Sequence, residues 1–387
     1  MRILLSAYAC EPDHGSEPEL GWKKVQDLAP TCTELTVVTR ARSQSRSRPK
    51  IEAGLDRLKI TNARFVYYDL PEWFARVPFS QPGQHLNIYA WEIGVFFFLL
   101  SRYRRNEFDR AHRITVSSYR YPSFAWYFAR HFTVGPVASG ERFALQFLSI
   151  YSFRGKLQEI LRLITRRLSL IDPLVLLMLY KADSIITITE DTRNILPAFA
   201  RRKATVTNFY ISVEPDAFDF FTPVAPRSNK KLRLLYIGRV VEWKGVMLVL
   251  QAMKNLGCQL DCELTLMGNG PGKSFYQEYA RKHQLSVDFV SPVGIPRRSL
   301  SAYYLSHDLF VFPGLHGTGS YVMLEANLHR LPVLTLDVSI PNCFSDYHFD
   351  WVIDTQDKTV KGVVAEIGEV FLAAYQTKQA EQKVVTN

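Results

Sequence analysis

Arg239 and Lys244 stand five residues apart just after the apolar run Leu234-Leu235-Tyr236-Ile237, with Gly238 before Arg239 and Gly245 after Lys244. An apolar helical pattern follows at Val246, Leu250, Met253 and Leu256. A buried strand that ends in a basic loop and opens a helix is a place to hold a phosphate, because free backbone N–H groups and side-chain cations converge there. Arg forks onto two oxygens and Lys adds a point charge. Taken alone, the pair could equally be solvated cations on a surface loop.

A second stretch points to the same chemistry. Leu309–Phe312 is an apolar run, and the Gly-rich segment PGLHGTGSYVMLEA follows it. Backbone N–H groups at Gly319, Ser320, Tyr321 and Val322 would favour an anion, and Glu325 would offer a carboxylate to a ribose diol from the first turns of a helix. The plainer reading of Glu325 is an ordinary helix-start acid. Asn269 opens the tight turn Asn269-Gly270-Pro271-Gly272 after a third run, Leu264–Met267. All of these fall on one rim of a single doubly wound sheet, and together they describe a pocket for a nucleoside diphosphate.

The first half carries fewer candidates. Gly15-Ser16 follows the strand Arg2–Tyr8 and precedes a helix expected from about Pro18–Leu20 to Leu28. Glycine allows close backbone approach and serine caps a helix, so this is either a ligand loop or a plain capped turn. It lacks the G-x-G-x-x-G dinucleotide fingerprint. His112 lies towards the carboxyl end of a strand at Ala111–Val116, where ligands bind in open α/β sheets, although a lone histidine is more often structural.

Strands alternating with helices must position these residues. The first half shows strands at Arg2–Tyr8, Leu35–Thr39, Arg64–Tyr68, Ala111–Val116, Phe132–Val137 and Ser184–Thr189, with a further one at Thr205–Asn208. The second half shows them at 234–237, 264–267, 287–290, 309–312 and 333–336. This is an α/β chain with two doubly wound domains. Residues 1–222 form the first, 223–232 a linker, 233–375 the second, and 376–387 a polar mobile tail. Arg40 to Lys50, basic and Ser-rich, reads as a mobile solvated loop.

The 387 residues suffice for two domains. The net charge of +10 is uneven: residues 1–200 hold 27 Lys+Arg against 19 Asp+Glu, and residues 201–387 hold 20 against 18. A basic first half suits an anionic partner. Nucleic acid ranks last, since no helix-turn-helix, zinc-finger or RNP signature is present. Five scattered cysteines and a start that runs straight into a strand suggest a reducing, cytoplasmic setting without a leader. The longest apolar runs fall short of the roughly 20 residues that span a bilayer. Two helical stretches, Ile88 to Tyr103 and Phe147–Tyr180, mix apolar and basic faces, and either packs against its domain or touches a membrane surface.

At these residues the sequence resembles retaining glycosyltransferases of the GT-B fold, family 4 type. The landmarks are ILLSAYACEPDHGSEPELGW, GPVASGE, IGRVVEWKG, LMGNGPG and FPGLHGTGSYVMLEA, and they extend over most of the chain. The resemblance implies two Rossmann-like domains facing each other across a cleft, with the acceptor on the first and a nucleotide-sugar on the second. It implies that Arg239 and Lys244 bind the diphosphate as it leaves, and that Glu325, the second acid of E-x7-E, holds the ribose. Gly319–Val322 would bind phosphate, Gly15-Ser16 would face the diphosphate, and His112 would stand near the donor sugar. It further implies metal independence with no cofactor, a glycan, lipid-linked or small-molecule acceptor, and work at the inner face of a membrane in envelope, exopolysaccharide or glycolipid synthesis.

Two departures are seen and two rivals stay open: Val338-Ser339-Ile340-Pro341 lacks the Gly-rich run that near relatives often show after this strand, and the other departure falls in E-x7-E. The first acid of E-x7-E is replaced by Gly317. A catalytically impaired relative that binds nucleotide-sugar is one rival, and a nucleotide-sugar epimerase of the same fold is the other.

Overall fold

The computed structural model describes residues 1–13, 16–41, 47–72, 81–141, 145–207, 218–220, 231–293, 295–316, 321–339 and 349–385. The chain divides into two compact units: Met1–Glu141 with Gln158–Phe209, and Arg142–Leu157 with Tyr210–Asn387.

The first unit is built on a seven-stranded sheet whose strands all run parallel. These are β1 (Arg2–Ala7), β2 (Glu34–Thr39), β3 (Ala63–Tyr67), β4 (Phe108–Thr115), β5 (Ala129–Val137), β6 (Ser184–Thr187) and β7 (Ala204–Val206). Their order is β3-β2-β1-β4-β5-β6-β7. Side chains alternate across a strand, so β1 feeds two cores. Ile3, Leu5 and Ala7 join Trp22, Val25 and Ile51 on one face, and Leu4 joins Trp91, Val95 and Phe108 on the other. Burial on both faces is why the parallel strands read as unbroken apolar runs.

The second unit holds a six-stranded parallel sheet in the order β10-β9-β8-β11-β12-β13. Its strands are β8 (Leu232–Ile237), β9 (Cys262–Met267), β10 (Val287–Val290), β11 (Leu309–Phe312), β12 (Val333–Leu336) and β13 (Trp351–Ile353). Each sheet reverses its strand order once, between β1 and β4 in the first unit and between β8 and β11 in the second. Loops leave such a pair in opposite directions, which opens a crevice at the strands' carboxyl ends.

Three expectations are corrected. Ser47–Leu58 is a helix, so Arg40 to Lys50 is not loop throughout. Ile51 buries in the core beside Trp22, while Ser47 and Lys50 donate to the Glu11 carboxylate at 2.8 and 2.7 Å. The chain from 376 is no mobile tail as far as Val385, because the last helix runs Val360–Val385. Lys378 is buried there and reaches Asp308 Oδ2 at 2.8 Å. The first domain is not continuous over 1–222: Arg142–Leu157 belongs with the second unit, where Gln146 donates to the Lys358 carbonyl at 3.2 Å. Strand β13 is an addition, its three residues being too short to show a periodicity. The linker 223–232 falls mostly outside the described residues.

Candidate active site

In the second unit, β8 and β11 bring two loops together. Gly238 N donates to the Met267 carbonyl and Val240 N to the Asn269 carbonyl, both at 3.0 Å, so the end of β9 lies against the start of the basic loop. Gly245 then takes a left-handed conformation, φ 71°, ahead of the helix Val246–Leu256. A Cβ there would collide with the Pro313 carbonyl of the β11 loop. Glycine alone satisfies both demands. Leu315 N donates to the Trp243 carbonyl at 2.9 Å and completes the join.

Lys244 is held in an unusual place. It is 9% exposed, and its ammonium lies 4.4 Å from the Phe312 ring centroid and 4.7 Å from that of Trp243. Burial, with a further push from the nearby Arg239 charge, lowers its pKa to about 7. Among the described residues no carboxylate pairs with it. Aromatic faces favour the ammonium form without pairing with it, and an incoming anion would favour that form further. Arg239 is exposed beside it, and its carbonyl accepts from Tyr236 Oη at 2.9 Å. Asn269 is exposed at the same rim, its amide 3.4 Å from Ser291 Oγ.

On the β11 side, His316 is buried 5.6 Å, centroid to centroid, from Trp243. Gly317, Gly319 and Ser320 lie outside the described residues. Tyr321 and Val322 open the helix Tyr321–Leu328 at half-buried positions. Glu325 follows one turn later and is 4% exposed. Arg297 donates to Glu325 Oε1 through Nε and Nη2 at 3.0 and 2.8 Å, and Tyr304 Oη donates to Oε2 at 2.7 Å. A carboxylate offers about four acceptor positions, so these three bonds leave one on Oε2. His329 stacks on Tyr304 at 4.8 Å and on Phe220 at 4.6 Å, and its Nδ1 meets the Glu325 carbonyl at 2.6 Å. Arg297 is a partner that no local spacing announces, since 28 residues separate it from Glu325.

In the first unit, Gly15 lies outside the described residues, as does the Ser16 side chain at the start of the helix Ser16–Leu28. His112 pairs in register with Leu5 of β1 and Thr133 of β5, three residues before β4 ends. It is 9% exposed, with Nε2 2.6 Å from the Gly135 carbonyl. A carbonyl only accepts, so Nε2 carries the proton. Burial, helped by the charges of Lys24 and Arg113, lowers the pKa to about 4, and the ring is neutral near pH 7. Nδ1 is then an acceptor.

Sequence reasoning passed over Glu17, although it follows Gly15-Ser16 directly. Its Oε1 accepts from Ser117 N at 3.0 Å, its Oε2 has no hydrogen-bond partner among the described residues, and burial raises its pKa. Glu92 and Arg113, both buried, meet at 3.5 Å. Burial lifts Glu92 to about 7 against the pull of Arg113. The described cysteines, Cys10, Cys32, Cys258 and Cys262, are free. Among the described residues no group of three or more His, Cys, Asp or Glu side chains is placed to hold a metal. No described helix is long and apolar enough to cross a membrane.

The fold defines a class. Two α/β units with parallel sheets of seven and six strands match the structures of GT-B glycosyltransferases. Residues 218–361, within the second unit, match the family model described as glycosyl transferases group 1. Among solved structures, the chain is similar to WaaG, a glycosyltransferase involved in lipopolysaccharide biosynthesis, at 15% identity and TM-score 0.58, covering 98% of this chain and 94% of that one. It is similar to the lipopolysaccharide outer core galactosyltransferase WaaB at 12% identity and TM-score 0.56, with the same coverage. A third likeness is to HepE of Anabaena in complex with UDP, at 13% identity and TM-score 0.52, again covering 98% and 94%. At these identities the likeness shows the fold. No curated protein matches the sequence.

Proposed function

We propose that the protein is a retaining glycosyltransferase that moves a hexosyl group from a nucleoside diphosphate sugar to an acceptor hydroxyl. The observation that carries this reading is Lys244, a buried amine with no carboxylate partner among the described residues, cushioned by Trp243 and Phe312 at the switch point of its sheet. Arg239 adds a second cation on the same loop. Two cations there stabilise the charge that grows on a departing diphosphate, which is the term that most lowers the barrier.

In the step proposed, the bond from the anomeric carbon to the donor phosphate breaks while the acceptor oxygen bonds to that carbon on the same face. The acceptor proton passes to a phosphate oxygen, and the nucleoside diphosphate leaves. No side-chain base is needed, which suits a His112 kept neutral and poorly basic. His112 Nδ1 would accept from a sugar hydroxyl, the free position on Glu325 Oε2 would accept from a ribose hydroxyl, and Asn269 would border the donor. Gly15, Ser16 and Gly319 to Val322 complete the proposed contacts. The reaction needs neither cofactor nor metal. HepE was solved with UDP, which makes UDP-sugars the first donors to test. The acceptor would be a glycan, lipid-linked or small molecule met at the inner face of an anionic membrane in envelope, exopolysaccharide or glycolipid synthesis.

Gly317, where the E-x7-E pattern has its first acid, favours one second reading, a nucleotide-sugar-binding partner without turnover. Calorimetric titration with UDP, GDP and ADP tests the part both readings share. One nucleotide should bind, and Arg239→Ala and Lys244→Ala should each weaken it at least tenfold. Equal affinity in the wild type and both variants would remove the site from this loop.

A further inference from the structure

The helix Phe153–Ser169 carries its apolar side outward. At ~100° per residue, Phe153, Leu157, Ile160, Leu161, Ile164 and Leu168 fall in one stripe about 100° wide, which in a water-soluble fold ordinarily faces the core. Here all six are exposed, from 43% for Leu161 to 83% for Phe153. Ile171, 70% exposed, extends the stripe past the helix end. The opposite side is charged and buried: Glu159 is 3% exposed and Arg166 6%.

Specific bonds hold the helix in this orientation. Arg166 Nη2 donates to the Glu141 carbonyl at 2.7 Å, and Tyr119 Oη donates to the Arg166 carbonyl at 3.2 Å. A helix free to roll would bury the stripe, and these contacts prevent it.

Charge decides what covers the stripe. Its borders carry Arg154, Lys156 and Arg167, all exposed, and no exposed position of the helix is acidic. An apolar stripe edged only by cations matches the boundary between acyl chains and anionic headgroups. Helix length and charge exclude a span. We propose that Phe153–Ser169 docks the protein on an anionic lipid bilayer, with the stripe in the acyl boundary and Arg154, Lys156 and Arg167 among the phosphates. This deepens the membrane contact proposed above and names the element that makes it. It stands apart from the transferase reading, which nucleotide titration tests without lipid.

The test is co-sedimentation of the full-length protein with vesicles of phosphatidylcholine alone or mixed with phosphatidylglycerol. The wild type should pellet with the mixed vesicles at low salt and lose affinity as salt rises. Ile160→Glu with Ile164→Glu should reduce binding at least tenfold. Arg154→Gln, Lys156→Gln and Arg167→Gln together should weaken binding and flatten its salt dependence. These side chains face solvent, so each variant should keep the wild-type melting temperature. No binding to mixed vesicles at low salt would overturn the proposal, as would equal binding by wild type and the Ile160/Ile164 variant. Light scattering that showed the stripe joining two copies of the chain, with no vesicle binding, would also overturn it.

Discussion

Arg297 sets two nitrogens, Nε and Nη2, on the same oxygen of Glu325, at 3.0 and 2.8 Å. The Glu325 side chain is 5% exposed and that of Arg297 24%. The acid that the sequence offers to a ribose is thus anchored inside the fold, with Tyr304 on its other oxygen. Its orientation is fixed before any ligand arrives.

Removing Arg297 should therefore harm stability and binding together. Arg297→Ala leaves a buried carboxylate uncompensated, at a cost of about 3 kcal/mol. Tyr304→Phe removes one bond to a charged acceptor and should cost about 1.5 kcal/mol. Urea denaturation reads both. A change under about 0.5 kcal/mol in Arg297→Ala, the range of ordinary surface substitutions, would contradict the anchoring role.

Lys244 predicts a trade between stability and binding. Its pKa is lowered to about 7 in the fold, from an ordinary value of 10.5. Between those two values the unfolded chain holds the extra proton, so this group's contribution to stability rises with pH across that window and is least at and below pH 7. Lys244→Met should raise the melting temperature at pH 6 while abolishing nucleotide binding. A fall in melting temperature at that pH would show that the buried charge is stabilising.

The same group gives donor binding a pH dependence. A diphosphate favours the ammonium, so affinity should decline as pH rises above about 7, by up to tenfold per unit until the bound-state pKa is reached. Lys244→Arg, charged throughout, should bind with a flat profile. A flat profile in the wild type would mean that the amine does not meet the anion.

His112 should be silent in neutral solution. With a folded pKa of about 4, against an ordinary 6.5, its ring should show no titration by NMR between pH 5.5 and 8. The unfolded chain binds its proton first as pH falls, so stability should drop between roughly pH 6.5 and 4, and less so in His112→Asn. A midpoint near 6.5 would place the ring in water.

Gly245→Ala should injure the site through the backbone. Left-handed φ alone costs an alanine about 1 kcal/mol, and the Cβ would also strike the Pro313 carbonyl. Loss of stability should exceed that figure, and nucleotide affinity should fall with it. Wild-type stability would contradict the close join of the two loops.

Much of the fold was legible because parallel strands are short apolar runs: Leu234–Ile237 and Leu309–Phe312 stand out unaided, and so does the basic loop between Gly238 and Gly245. Three features were hidden for physical reasons. Ser47–Leu58 is masked by its basic, Ser-rich start, and what holds it, Ile51 and Gly54 near Trp22 and Ser47 and Lys50 on Glu11, is tertiary. Arg297 pairs with Glu325 through tertiary packing, which no local spacing reports. The helix Phe153–Ser169 shows its amphipathic pattern openly, but not that the apolar side faces out. That is decided by Arg166 and Tyr119, which bind the other face.

The measurement that tests the central claim most directly is release of free nucleoside diphosphate from a panel of UDP-, GDP- and ADP-sugars. Slow hydrolysis of one donor, lost in both Arg239→Ala and Lys244→Ala, is the result expected of a working donor site on this loop. Absence of both turnover and binding across the whole panel would contradict the account.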